Sequence, residues 1–211
     1  NLCNAKLQED SMSVRNLIKQ SNVTLICTTD DPIDDLKWHK IIKEDETFDV
    51  QVLPAWRPDK AMNLEKPEYL DYIGKLSEVS GVEIKTFADL KAAFKNRMEF
   101  FDSCGCSVSD HGLDYVMYVP ASEEEVEAIF ADRLAGKPVS KEAAAKFKTA
   151  FMVFIAPEYA RMNWVMQLHY GCKRDNNKSM YAKLGPDTGF DCISNYTPAD
   201  QLADFLNAIN D

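Results

Sequence analysis

The chain is short of positive charge. Its 211 residues carry 24 lysines and arginines against 34 aspartates and glutamates, a net charge of −10. A nucleic-acid binder needs a basic face to neutralise phosphates, and this balance argues against one. A small anionic substrate stays open, because one well-placed arginine outweighs a distant net charge. Long apolar runs are missing too. None approaches the roughly 18 residues of a membrane span, so no membrane contact is expected. The opening NLCNAKLQEDSMS is polar and lacks the apolar centre of a signal peptide, which makes the cytoplasm the expected compartment. A cysteine framework is also lacking. The six cysteines (Cys3, Cys27, Cys104, Cys106, Cys172, Cys192) are irregularly spread, and several adjoin apolar strand-like runs, where cysteine behaves as a small buried hydrophobe. They read as reduced thiols. Cys104-Gly-Cys106 has no matching Cys/His pair at finger-like spacing, and Gly185 and Gly189 are followed by no Gly-Lys-Ser/Thr, so neither a zinc finger nor a P-loop is present.

What is present suits a soluble globular protein: 45% apolar and 27% charged residues, in a length that fits one domain or a large part of one. The chain begins at Asn1 and ends LNAIND, in a helix with no closing strand after it. The expectation is therefore a segment of something longer.

Strand and helix patterns alternate along it. Ser13 precedes a short helix with Val14, Leu17 and Ile18, and Val23–Cys27 reads as a strand. Asp31-Pro32 reads as a helix start, with Ile33, Leu36, Ile41 and Ile42 inward and His39 a helix-surface residue. A second strand, roughly Val50–Leu53, breaks at Pro54 and leaves Arg57 just beyond its end, held extended by Pro58. Leu70, Ile73, Leu76 and Val79 repeat at helical spacing. Thr86 with Asp89 forms a capping box ahead of the stripe Phe87, Leu90, Phe94, Met98 and Phe101. A third strand near Cys106–Ser109 ends at Asp110-His111-Gly112, and a further apolar run occupies Tyr115–Val119. Ser122 and Ser140 cap two more helices, the second reaching about Arg161, with Pro157 expected to kink or split it. A strand at Val165–His169, an irregular loop with GPDTGFD, and a last helix carrying Leu202, Phe205, Leu206 and Ile209 complete the chain.

This alternation predicts parallel βαβ units. The intervals from Arg57 to Asp110 and from Asp110 to His169 are about twice an ordinary unit, so extra helices must be inserted. Four units cannot close an eight-stranded barrel; they make half of one. In such a barrel the loops after successive strands share one mouth. Arg57, Asp110 and His169 would then converge, Arg57 suited to a two-pronged grip on a carboxylate, Asp110 to accepting from hydroxyls or moving a proton, and His169 to polarising or donating. Each also has a plain structural reading: Arg57 pairing with Asp59, Asp110 capping a turn, His169 satisfied inside the fold.

The words TTDDP, LPAWRPDK, SDHGLD, QLHYGCKRDNN and LGPDTGFD, in this order, resemble uronate isomerase (glucuronate isomerase), a family of the amidohydrolase superfamily. The resemblance runs from about Ser13 to the C-terminus. It implies an α/β fold, a partial (β/α)8 TIM-type barrel of about four to five parallel strands, with a helical insertion at about 65–103. It implies reversible aldose–ketose isomerisation of hexuronate sugars through an enediol, D-glucuronate to D-fructuronate and D-galacturonate to D-tagaturonate. Arg57, Asp110 and His169 would line the substrate site, Asp110 and His169 with catalytic roles. A divalent metal, expected to be zinc, belongs to the full-length family members, and a homo-oligomer is open. The family's His-x-His pair and late Asp-x-Arg have no counterpart among the three histidines here, His39, His111 and His169. The segment alone is therefore expected to be inactive and to hold no metal. A metal-dependent hydrolase of the same superfamily is the rival enzyme, and a non-catalytic helical interaction module the rival non-enzyme.

Overall fold

The structure, a computed structural model, describes residues 1–210. Helices α1 (Leu2–Lys6) and α2 (Val14–Gln20) lead to strand β1 (Leu25–Cys27) and helix α3 (Lys37–Lys43). Strand β2 (Gln51–Leu53) follows, then helices α4 (Asp59–Met62), α5 (Tyr69–Ser80) and α6 (Phe87–Ser103) and strand β3 (Val108–Gly112). Helices α7 (Glu123–Leu134) and α8 (Lys141–Arg161) precede strand β4 (Val165–His169). The last part holds strand β5 (Cys172–Lys173), helix α9 (Lys178–Leu184), strand β6 (Cys192–Ile193) and helix α10 (Ala199–Ala208).

The strands are parallel where it matters. Strand β1 pairs with β2 from Leu25–Gln51 to Cys27–Leu53, and β3 pairs with β4 from Val108–Val165 to Gly112–His169. Trp56 joins the two pairs, bridging in parallel to Asp30 on one side and Ser109 on the other. Its N–H donates to the Val108 carbonyl at 3.0 Å and its carbonyl accepts from Asp110 N–H at 2.8 Å. On the opposite side Asp30 N–H bonds the Ala55 carbonyl and Arg57 N–H bonds the Asp30 carbonyl, both at 2.9 Å. Four parallel segments thus lie side by side in chain order. Strands β5 and β6 form a separate antiparallel pair.

The core rests on the sheet under α5 to α8. Thr86 and Asp89 make the full reciprocal capping box of α6, and the stripe Phe87, Leu90, Phe94, Met98 and Phe101 is buried as its spacing predicts. Trp56, fully buried, meets Phe101 and Phe94 edge-on with centroids 4.9 and 5.5 Å apart, a geometry that aromatic quadrupoles favour. Phe94 in turn packs against Phe151 of α8 at 5.1 Å.

Two local expectations change. Asp31-Pro32 does not start a helix: α3 begins at Lys37, after Leu36 at φ 51°. The Asp31 and Asp34 carboxylates accept from Ile33 and Asp31 N–H, and Arg97 donates to the Pro32 and Asp34 carbonyls. Side chains satisfy this stretch as a turn, so no helix is needed. The apolar run Tyr115–Val119 lies outside the strands, and Gln201 and Thr149 side chains accept from its Tyr118 and Val119 N–H groups. Helix α8 runs unbroken through Pro157. Proline there releases only one carbonyl, and buried Phe151, Ile155 and Tyr159 hold the helix on the core.

Candidate active site

Arg57 emerges immediately after Trp56, so the residue that ties the two strand pairs together also sets the arginine's position. Asp110 lies within β3 and not beyond it, and His169 is the last residue of β4. Their register puts Asp110 opposite Gln167, two residues before His169, and side chains two apart on a strand share a face. Sequence, strand pairing and pleat therefore aim both side chains at Arg57.

The three do converge. His169 Nδ1 is 2.6 Å from Asp110 Oδ1, and its Nε2 is 3.4 Å from an Arg57 Nη2. Arg57 Nη1 lies 3.6 Å from Asp110 Oδ2, and Gln167 Nε2 donates to Asp110 Oδ1 at 3.4 Å. A carboxylate on Nδ1 selects the tautomer with the proton there, leaving the Nε2 lone pair toward Arg57. Asp110 is nearly buried while His169 and Arg57 are partly open. Arg57 and His169 border a cavity of about 1100 Å³, lined also by Gly112, Tyr115, Lys148, Arg174 and Tyr196 among others, with Asp110 behind them.

The plain reading of Arg57 holds as well: its Nε donates to Asp59 Oδ2 at 2.9 Å. The pairing uses one of five donors, so the outer N–H groups remain available to a ligand. Gly112 is where the two meet. Its N–H donates to Asp59 Oδ2 at 3.0 Å, and a Cβ there would overlap Arg57 Nη2 and stand 2.9 Å from His169 Nε2. Burial raises the Asp59 carboxyl above its ordinary range, against the lowering pull of Arg57 and Gly112.

His39, read as a bland helix residue, hydrogen-bonds Thr28 Oγ1 at 2.7 Å beside Asp30 and lines a different cavity from Arg57. His111 is fully buried, and burial reinforced by Arg57 and His169 lowers its pKa to about 3. Sequence reasoning passed over three residues. Asp59 enters the sequence reading only as a pairing partner for Arg57. Arg174, five residues after His169 in the same polar loop, lines the cavity and pairs with Asp191 at 2.8 Å; its basic charge beside the motif was the available signal. Tyr196 reaches the cavity through an edge-on contact with Tyr115 at 4.8 Å, which no local pattern foretells.

The profile of the family described as glucuronate isomerase matches residues 1–211. The chain belongs to the glucuronate isomerase family. It is 68% identical to the uronate isomerase of Lachnospira eligens over all of its length and 45% of that protein's. It is 65% identical to the uronate isomerase of Lachnoclostridium phytofermentans over 99% of its length and again 45% of the relative. The chain thus spans less than half the length of the curated relatives it matches. Among solved structures, the uronate isomerase of Thermotoga maritima superposes with a TM-score of 0.86 at 34% identity, over 92% of this chain and 43% of that one. The glucuronate isomerase of Caulobacter crescentus also gives 0.86, at 27% identity, over 97% and 42%.

The divalent metal that the resemblance implies does not fit the residues gathered here. Among the described residues no group of three His, Cys, Asp or Glu side chains is placed to hold an ion. His169 spends Nδ1 on Asp110 and turns Nε2 to a guanidinium, so a second cation would face Arg57 directly.

Proposed function

We propose that the full-length protein containing this chain is an aldose–ketose isomerase of hexuronates, acting on D-glucuronate and D-galacturonate. One observation carries the reading: three separate segments of the chain bring Asp110 and Arg57 to the two ring nitrogens of His169, and Arg57 and His169 line one cavity. Family membership supports the same chemistry.

In this reading the open-chain sugar lies along the cavity with its carboxylate against the free Arg57 N–H groups, a fork suited to a planar anion. Isomerisation then requires a proton to leave one of the C1–C2 pair and arrive at the other. His169 Nε2, its tautomer held by Asp110, is the group placed to accept or return it. Asp110 orients the imidazole and balances its charge once protonated. No step is assigned to a metal. Ligands for one in the full-length protein would come from outside these 211 residues, and the chain alone is expected to be inactive.

The four parallel segments in chain order, with Leu25 of β1 and Val165 of β4 exposed on the two outer strands, support a partial (β/α)8 barrel. Helices α5 and α6 would be its insertion. A homo-oligomer and a cytoplasmic location are part of the same proposal. The test is conversion of D-glucuronate and D-galacturonate by the purified full-length protein, with and without chelator, beside Arg57→Ala. Turnover lost or strongly weakened in Arg57→Ala supports the assignment. Wild type that hydrolyses esters or amides but leaves both sugars unchanged would replace the isomerase by a hydrolase.

A further inference from the structure

One buried carboxylate beside the site is unexplained by gripping substrate. Asp59 Oδ2 already takes two donors, Arg57 Nε at 2.9 Å and Gly112 N–H at 3.0 Å. Its other oxygen, Oδ1, is buried and has no partner. Facing it at 3.9 Å is His111 Nδ1, buried and equally unpartnered. The far side of that ring, Nε2, is 3.0 Å from the hydroxyl of Tyr159. His111 comes from β3 and Tyr159 from α8, and both are fully buried.

The protons can be assigned by elimination. A neutral imidazole carries one N–H, and burial keeps His111 neutral, as its lowered pKa agrees. With the proton on Nε2, Nδ1 would point a lone pair at a carboxylate oxygen. With the proton on Nδ1, the Tyr159 hydroxyl donates to Nε2 and the Nδ1–H points at Asp59. With Asp59 ionised, as its bond from the Arg57 guanidinium favours, only the second arrangement satisfies every group, and it needs the gap to close by less than about 1 Å to reach hydrogen-bond length. Buried donors and acceptors without partners are rare because each costs free energy.

We propose that Asp59 is the positioning residue of the site, held from behind by a Tyr159–His111 relay and itself holding the Arg57 guanidinium beside His169 and Asp110. Asp59 touches no substrate in this scheme. It fixes the arginine's direction through Nε and leaves the outer N–H groups to the ligand. The kinetic consequence rests on the isomerase reading above; the structural consequence does not.

The test uses the full-length protein, with Asp59→Ala, Asp59→Asn, Tyr159→Phe and the Asp59→Ala/Tyr159→Phe pair. Asp59→Ala is expected to raise KM for D-glucuronate at least about tenfold with a smaller change in kcat, the pattern of lost binding geometry. Asp59→Asn, whose carbonyl can still accept both N–H groups, should recover most of that loss. Tyr159→Phe should raise KM about threefold alone and add nothing to Asp59→Ala, because it acts through the same residue. Crystal structures of wild type and Asp59→Ala give a readout free of activity. His111 Nδ1 should lie within about 3.2 Å of Asp59 Oδ1 in wild type, and the Arg57 guanidinium should leave His169 in the variant. A KM within twofold of wild type, additive effects in the pair, or an unmoved Arg57 would each overturn the proposal. If wild type turns over no hexuronate, the isomerase reading falls and the crystal comparison alone decides this one. If Asp59→Ala does not fold, Tyr159→Phe supplies the comparison, through its KM and the position of Arg57 in its crystal structure.

Discussion

His169 Nδ1 and Asp110 Oδ1 stand 2.6 Å apart across neighbouring parallel strands, and that contact decides which ring nitrogen of His169 is free. Replacing the carboxylate by an amide keeps the shape and removes the negative charge that selects the tautomer. Asp110→Asn in the full-length protein should lower kcat for D-glucuronate by about 10²–10⁴-fold, the range expected when a general base loses its orienting partner. Steady-state rates at saturating sugar measure this, and a kcat within threefold of wild type would remove Asp110 from the chemistry.

Gly112 has no side chain because Arg57, Asp59 and His169 occupy that space. Gly112→Ala must push the guanidinium aside, and misplacing a binding group by an ångström costs about 10²-fold. The expected result is a fall of that size in kcat/KM with the fold retained, read by kinetics and circular dichroism on one preparation.

Arg57→Lys keeps the charge but not the fork, and a lysine cannot serve Asp59 and a planar carboxylate together. KM for D-glucuronate should rise by about 10- to 100-fold, while a neutral hexose competitor should bind wild type and variant alike. Equal KM values would assign carboxylate recognition elsewhere, with Arg174 the first candidate.

Stability should fall on mild acidification. The folded chain holds His111 neutral down to about 3, whereas an unfolded histidine takes a proton near its ordinary 6.5. Between those values the unfolded state binds more protons, so stability present above pH 6.5 is lost as the pH drops toward 3. The full effect is on the order of 4–5 kcal/mol. Asp59 works in the opposite sense, since its raised pKa means that protonation relieves a burial cost, and a histidine variant separates the two groups. Melting temperatures from pH 7.5 to 5 should therefore decline in wild type and decline less in His111→Gln. Parallel curves would show that His111 is not the responsible group.

The features that could be read in the sequence were local or periodic. The Thr86–Asp89 box and the phenylalanine stripe of α6 needed only spacing. The order of strands followed from alternation, and Arg57, Asp110 and His169 stood out as polar tips of apolar runs. What stayed hidden depended on distant partners. Asp31-Pro32 has good helix-start chemistry, yet Arg97, far along the chain, takes its carbonyls. Tyr115–Val119 is plainly apolar, yet its donors go to the side chains of Gln201 and Thr149, which no local pattern foretells. The Asp59–His111–Tyr159 alignment joins three elements, and no single stretch of sequence contains it.

Trp56 carries backbone bonds to both neighbours at once, and this has a consequence for how errors can arise. Side chains alternate along a strand, so a slip of one residue between the two pairs would turn Arg57 to the opposite face, and a slip of two would displace it by about 6.6 Å. Neither leaves the arginine near His169. Small misalignments have no intermediate place to settle. The site is therefore quantised: a molecule either has this register and the whole cluster, or has lost the cluster entirely. A damaged population should behave as a mixture of fully competent and wholly incompetent molecules, with fewer working copies and an unchanged KM.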